Sequence, residues 1–117
     1  MWVPQGLKLK EYSQTNTTTL VFTDPKTNYS FQIFVVPYQG DQVSAERFKM
    51  DVPSGVQDQP KNILVDGTQA VMFYSKDAAL GDTREVWFIK NGFLYEIMTY
   101  KQLDSWLAGI MQTWKFF

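Results

Sequence analysis

Apolar and polar positions alternate along this chain in short runs, each closed by proline, glycine, asparagine or aspartate. The clearest pair of runs is Arg84 to Ile89 and Phe93 to Tyr100, on either side of Asn91-Gly92. Asn-Gly tolerates positive φ at both positions and closes a two-residue hairpin. Lys90 then faces Phe93, and counting outward sets the register. Phe88 falls beside Tyr95 and Val86 beside Ile97 on one face, while Trp87 falls beside Glu96 and Glu85 beside Met98 on the other. A second hairpin joins the β-branched run Thr17 to Thr23 to Tyr29 through Val36, across the turn Asp24-Pro25-Lys26-Thr27-Asn28. In its second strand Phe31, Ile33 and Val35 share one face. Ser30, Gln32, Phe34 and Val36 share the other, which starts polar and becomes apolar, so its far end is expected to be covered on both sides. A third hairpin runs from Asn62 to Val65, turns at Asp66-Gly67 and returns from Thr68 through Ser75, with Ala70, Met72 and Tyr74 opposite Val71 and Phe73.

Two segments follow the longer helical period. Leu103, Trp106, Leu107, Ile110, Met111 and Trp114 are spaced as one helical stripe, the strongest helix signal in the chain. A shorter helix starts at Ser44, which can cap it, with Val43 placed to staple onto Phe48. That helix must fade before Pro53, and Asp51 to Pro60 reads as the least ordered stretch. An apolar helical stripe beside antiparallel hairpins has only a sheet face to cover. The expectation is one α+β domain over residues 1–117, an antiparallel sheet of five to seven strands flanked by helices. The terminal helix takes one face and the Ser44 helix the other, and the pattern leaves open which face each covers.

Composition narrows the chemistry. Over 117 residues, 44% are hydrophobic and 20% charged, the balance of one folded domain. The net charge of −1 and the lack of any Lys/Arg run leave no basic footprint for a nucleic acid. No segment approaches the roughly 20 apolar residues of a membrane span. The chain has no His and no Cys, which removes imidazole catalysis, thiol nucleophiles, disulfides and the usual zinc sites. Carboxylate, Lys, Tyr or Ser chemistry stays open, as does binding without chemistry.

The order of elements, with Pro4-Gln5-Gly6-Leu7, a strand ending in Phe22-Thr23-Asp24-Pro25, the run Phe31-Gln32-Ile33-Phe34-Val35-Val36-Pro37 and a final helix leading into Thr113-Trp114-Lys115-Phe116, resembles the PsbP-like family. Thr83-Arg84-Glu85-Val86-Trp87-Phe88 with Leu94-Tyr95-Glu96 is similar to uncharacterised bacterial domains of that type. The resemblance implies an α/β/α sandwich, no cofactor, no catalytic residues to carry over, and a role in docking or stabilising assemblies. It also implies an extracytoplasmic place in the cell envelope, with the domain tethered as a lipoprotein or by a membrane anchor outside this sequence. The family carries a further aromatic-rich strand before its proline-x-glycine segment, whereas this sequence starts almost at that proline; either that strand is trimmed away or it is dispensable, and a trimmed edge would expose backbone able to pair with another chain.

The candidate residues follow from the register. Trp87, Glu85, Glu96 and Tyr100 share one face of the Asn91-Gly92 hairpin and form the expected binding surface for a protein partner. Nineteen aromatic residues, four Trp, six Tyr and nine Phe, exceed what so small a core hides, and Trp87, Tyr100, Trp2 and Tyr38 are the ones expected near the surface. In the other arrangement, Trp87 and Tyr100 lie under the terminal helix with Trp106 and Trp114. A rival function is a glycan hydrolase with Glu85 and Glu96 as its carboxylate pair. Against it stands neutralisation of the two by Arg84, Lys90 or Lys101. A ligand-free spacer is the third reading. Asp77 and Asp82 flank a loop with oxygen ligands suited to Ca²⁺ but without EF-hand spacing, and a polar hairpin turn explains it as well. Ser54-Gly55 lacks a His to activate the hydroxyl and reads as a turn.

Overall fold

The computed structural model describes residues 6–115; Trp2 and the proline-x-glycine start at Pro4 lie outside the described residues. Seven strands and two α-helices follow one another as β1 (Lys8–Ser13), β2 (Thr18–Thr23), β3 (Ser30–Pro37), α1 (Ala45–Asp51), β4 (Asp58–Val65), β5 (Thr68–Asp77), β6 (Gly81–Lys90), β7 (Phe93–Tyr100) and α2 (Asp104–Gln112). All neighbouring strands are antiparallel, in the order β1-β2-β3-β7-β6-β5-β4. The sheet is therefore two meanders laid side by side. β1 to β3 form one, β4 to β7 the other, and β3 pairs with β7 from Gln32↔Met98 to Pro37↔Phe93.

The turns explain the register. Asn91 and Gly92 adopt φ of 53° and 83°, and Asp66 and Gly67 adopt 46° and 79°, the doubly left-handed pairs that two-residue hairpins require. The β6–β7 ladder runs as the sequence predicts, with Phe88 opposite Tyr95, Trp87 opposite Glu96 and Val86 opposite Ile97.

The chain leaves β3 in the middle of the sheet and enters β4 at its far edge, so α1 is carried across a sheet face. Ser44 caps it, its Oγ accepting from the Arg47 N–H at 3.0 Å, and Val43 and Phe48 both pack onto the core beneath. That core holds Val36, Val52, Phe73, Trp87 and Leu94. The opposite face carries the larger core, where Leu20, Phe22, Phe31, Ile33, Val86, Phe88 and Ile97 meet Leu107 and Met111 of α2 and Trp114 just beyond it. Arg84 lies on that second face and ties α2 down. Its Nε is 3.0 Å from Asp104 Oδ1, and the Tyr74 hydroxyl donates to Asp104 Oδ2 at 2.6 Å.

Two elements escape the sequence pattern. β4 begins at Asp58, inside the stretch expected to be least ordered. Gln59 takes φ 51° there, and the register shifts between Asp58 and Lys61 around Pro60, which an edge strand tolerates because one side of its backbone is unpaired. β1 is exposed along its whole length, so it has no buried face to impose alternation on Lys8–Ser13. It is held by its backbone ladder to β2, Lys8↔Thr23 through Ser13↔Thr18.

Leu107 is 1% exposed and Leu64 68%. Leu107→Ala is expected to lower unfolding free energy by about 2–5 kcal/mol, and Leu64→Ala to stay within about 0.5 kcal/mol of the parent. Urea midpoints at constant slope measure both; comparable losses would contradict the packing of α2.

Candidate functional site

Alternation along the strands puts Phe34, Glu96, Trp87 and Val71 in one row across β3, β7, β6 and β5 on the α1 side. Gln32, Met98, Glu85 and Phe73 form the next row. α1 covers the apolar part of this face. Phe48 stands 5.3 Å from the Trp87 ring and 5.6 Å from Phe73, ring centre to ring centre. The helix ends where the face turns polar. Past its last turn, Gln32, Phe34, Met98, Glu85 and Glu96 floor a recess of about 730 Å³. Asp51, Val52, Pro53 and Ser54 wall it from the helix end, and Lys76, Asp77 and Ala78 from the β5–β6 hairpin.

The four residues expected to form a binding surface are not equivalent. Trp87 is 2% exposed and lies under α1, so it is neither a surface platform nor covered by the terminal helix. Glu85 and Glu96 are buried as well, 5% and 7% exposed. They reach the outside only through the recess. Tyr100, 40% exposed, sits at the end of β7 opposite Thr83. Tyr38 is half-buried; its hydroxyl donates to the Gln42 carbonyl and accepts from the Ser44 N–H, both at 2.9 Å, bracing the approach to α1.

Each oxygen of Glu85 has a donor. One oxygen accepts from the Trp87 indole N–H at 3.0 Å and the other from the Thr83 hydroxyl at 2.9 Å. Burial pushes its carboxyl above the usual range, and these two bonds pull the other way. Glu96 has no such support. Burial raises it first, then a hydrogen bond and charge repulsion from Asp51, with a smaller push from Glu85. The Arg47 guanidinium opposes this only in part, and the carboxyl is pushed up to about 10. A hydrogen bond between two carboxyls needs a proton. Glu96 therefore stays neutral at pH 7 and donates to Asp51, whose charge is held by Arg47 Nε at 2.8 Å. Glu96 Oε2 is buried and accepts nothing.

Arg84, Lys90 and Lys101 were the expected counter-charges, and none serves. Arg84 pairs with Asp104 on the opposite face, Lys101 lies 5.0 Å over the Tyr74 ring, and Lys90 donates to Thr68. The group that does approach, Asp51 with Arg47, comes from α1. Its i,i+4 spacing was visible in the sequence, but nothing local showed which sheet residues it would meet. Asp77 caps its own turn, Oδ2 accepting from the Ala79 and Leu80 N–H groups at 2.9 Å each. Among the described residues no group of three or more acidic side chains converges to hold a metal ion. The Ser54 hydroxyl donates to the Lys76 carbonyl at 2.9 Å and fastens the helix exit to the hairpin.

The sign of the pH dependence follows from Glu96. The folded chain keeps a proton that the unfolded chain releases above about 4.5, so this stabilisation is complete below that pH and drains away as pH rises toward about 10. Between pH 6 and 9 stability should fall by up to about 1.4 kcal/mol per pH unit. Glu96→Gln keeps the neutral shape and a donor for Asp51. It should raise the urea midpoint at pH 8 and flatten the slope, leaving the smaller contribution of Glu85. Parallel curves for parent and variant would refute the neutral carboxyl.

Neither a protein-family model, nor a curated protein, nor a solved structure matches this chain.

Proposed function

We propose that this domain is a non-catalytic binding or assembly module of the PsbP-like kind. In this reading it is the ectodomain of a bacterial protein, tethered outside the cytoplasmic membrane by a segment beyond this sequence. The recess between the end of α1 and the β5–β6 hairpin receives part of a protein partner. The observation that carries this reading is the pairing of an open cavity of about 730 Å³ with a Glu85 carboxyl that Thr83 and Trp87 already hold. A cavity of that size lies within the usual range for bound ligands. The resemblance in element order supports the family and the location, and the α+β architecture with an antiparallel sheet agrees with it.

The glycan-hydrolase reading draws on Glu85 and Glu96 floor residues in one recess, with Glu96 protonated as a general acid would be. It needs the second carboxylate free to attack a sugar carbon or activate water. Glu85 is 5% exposed, and each of its oxygens already accepts a hydrogen bond, one from Thr83 and one from Trp87, which ties it to the sheet. The binding reading asks for no such freedom.

Trp87→Ala is a poor test, since removing a buried indole of this size costs about 3–5 kcal/mol and strands Glu85. Ala78 is exposed and lines the recess mouth, so Ala78→Trp fills the opening without touching the core. The wild-type domain should retain a protein from a bacterial envelope extract, and Ala78→Trp, with an unchanged circular dichroism spectrum, should lose it. Equal retention by both, or cleavage of a chromogenic glycoside panel that Glu85→Gln abolishes, would overturn the reading.

A further inference from the structure

We propose that the outer border of β1 is a second interaction surface, separate from the recess, and that it takes an extended acidic segment of a protein partner as an added antiparallel strand. Among the described residues no strand pairs with that border. Sheet edges are commonly blunted by a bulge or a proline. β4 carries both, with its register shift between Asp58 and Lys61 around Pro60. β1 carries neither. Its six residues run in unbroken register against β2 and are exposed throughout.

The backbone groups that face outward follow from the hairpin to β2. The Gln14 N–H donates to the Thr17 carbonyl at 2.8 Å, so those two form a hydrogen-bonded pair, and such pairs alternate with non-bonded ones along an antiparallel ladder. Tyr12, Lys10 and Lys8 therefore exchange bonds with Thr19, Val21 and Thr23. Leu9, Glu11 and Ser13 point their N–H and carbonyl groups away from the sheet, where an added strand would meet them.

Charge selects the occupant. Lys8, Lys10 and Tyr12 lie on the α1 side of the sheet, Lys10 in line with Val21 and Gln32, while Leu9 and Glu11 lie on the other side beside Phe22 and Leu20. Neither lysine has an acidic partner among the described residues; Lys10 lies 5.9 Å over the Tyr12 ring. Leu9 is 45% exposed. The complement of this border is a strand with acidic residues at two alternating positions, opposite Lys8 and Lys10, and an apolar residue between them, opposite Leu9. The same charges reject a second copy. Two antiparallel β1 strands related by a two-fold axis set one residue opposite its own counterpart. Centred on Leu9, that register opposes Lys8 to Lys10 twice; centred on Lys8 or Lys10 it opposes a lysine to itself, and centred on Glu11 two glutamates. Like charges directly opposite destabilise a strand pair. Centring on Tyr12 overlaps only Glu11 to Ser13 within the strand. The lysines thus exclude one kind of edge and admit another.

The probe is the peptide acetyl-Thr-Val-Glu-Val-Glu-Val-Thr-amide, titrated at low salt into the isotope-labelled domain and followed by amide NMR. Binding should slow hydrogen exchange at the Leu9 and Glu11 N–H groups and leave those of Lys10 and Tyr12, already bonded to β2, little changed. Lys8→Glu combined with Lys10→Glu exchanges two exposed charges, so the circular dichroism spectrum should stay the same while binding weakens about tenfold or more, the sum of two cross-strand pairs turned from attraction to repulsion. N-methylation of the central valine removes an N–H aimed at β1 and should abolish binding; N-methylation of the first glutamate, whose N–H points away, should not. Absence of binding overturns the proposal, as does equal binding of the N-methylvaline peptide or of a peptide with lysine in place of both glutamates. Slowed exchange at Leu9 and Glu11 in the domain alone at high concentration would assign the border to a second copy and overturn it too. Ala78→Trp, at the recess mouth, should leave peptide binding unchanged. Loss of binding in that variant would place the peptide in the recess, which sinks this proposal and leaves the binding-module reading standing.

Discussion

The pairing of β3 with β7 is the contact on which the molecule depends. It joins two meanders that are otherwise built from local hairpins, and it brings Gln32 beside Met98 and Phe34 beside Glu96 across more than sixty residues of chain. Both cores draw on both meanders, the one of three strands and the one of four, so neither meander alone completes either core. Joined, they make a sheet broad enough to carry a helix on each side. The same join completes the floor of the recess, which takes residues from β3, β7 and β6 in adjacent rows.

The face beneath α1 shows how a sheet divides its two ends between stability and chemistry. At one end Trp87, Phe73 and Phe48 meet ring to ring. At the other, Thr83, Glu85 and Trp87 form a hydrogen-bonded chain in which two neutral donors satisfy one carboxyl. Trp87 belongs to both, its ring in the core and its N–H in the polar network. Glu96, one strand away, lacks donors of its own and keeps a proton instead. The contrast between these two acids arises from their neighbours, since both are nearly equally buried.

Much of the fold was legible because it is written locally. Asn91-Gly92 and Asp66-Gly67 define two hairpins, period-two alternation assigns their faces, and the stripe from Leu103 to Trp114 marks α2. The site was legible only in part. The shared face of Glu85, Trp87 and Glu96 follows from the register, but its burial depends on where the crossover from β3 to β4 lays α1, and no local signal encodes that. The sequence pattern places Asp51 at the start of a loose stretch, although in the fold it is, after burial, the group that most favours the neutral form of Glu96. β1 and the start of β4 were hidden for the opposite reason. Edge strands with little buried surface have no hydrophobic period to read.

The two outer edges of the sheet differ in how regular a ladder they present. On the β4 side, Pro60 lacks an N–H and left-handed Gln59 turns the backbone aside, which interrupts the start of the strand and leaves Lys61 to Val65 regular. Among the described residues, β1 offers six regular residues with one backbone side unpaired. Growth into a fibre needs both borders to accept a strand, and the bulged start of β4 shortens the regular ladder on that border to five residues.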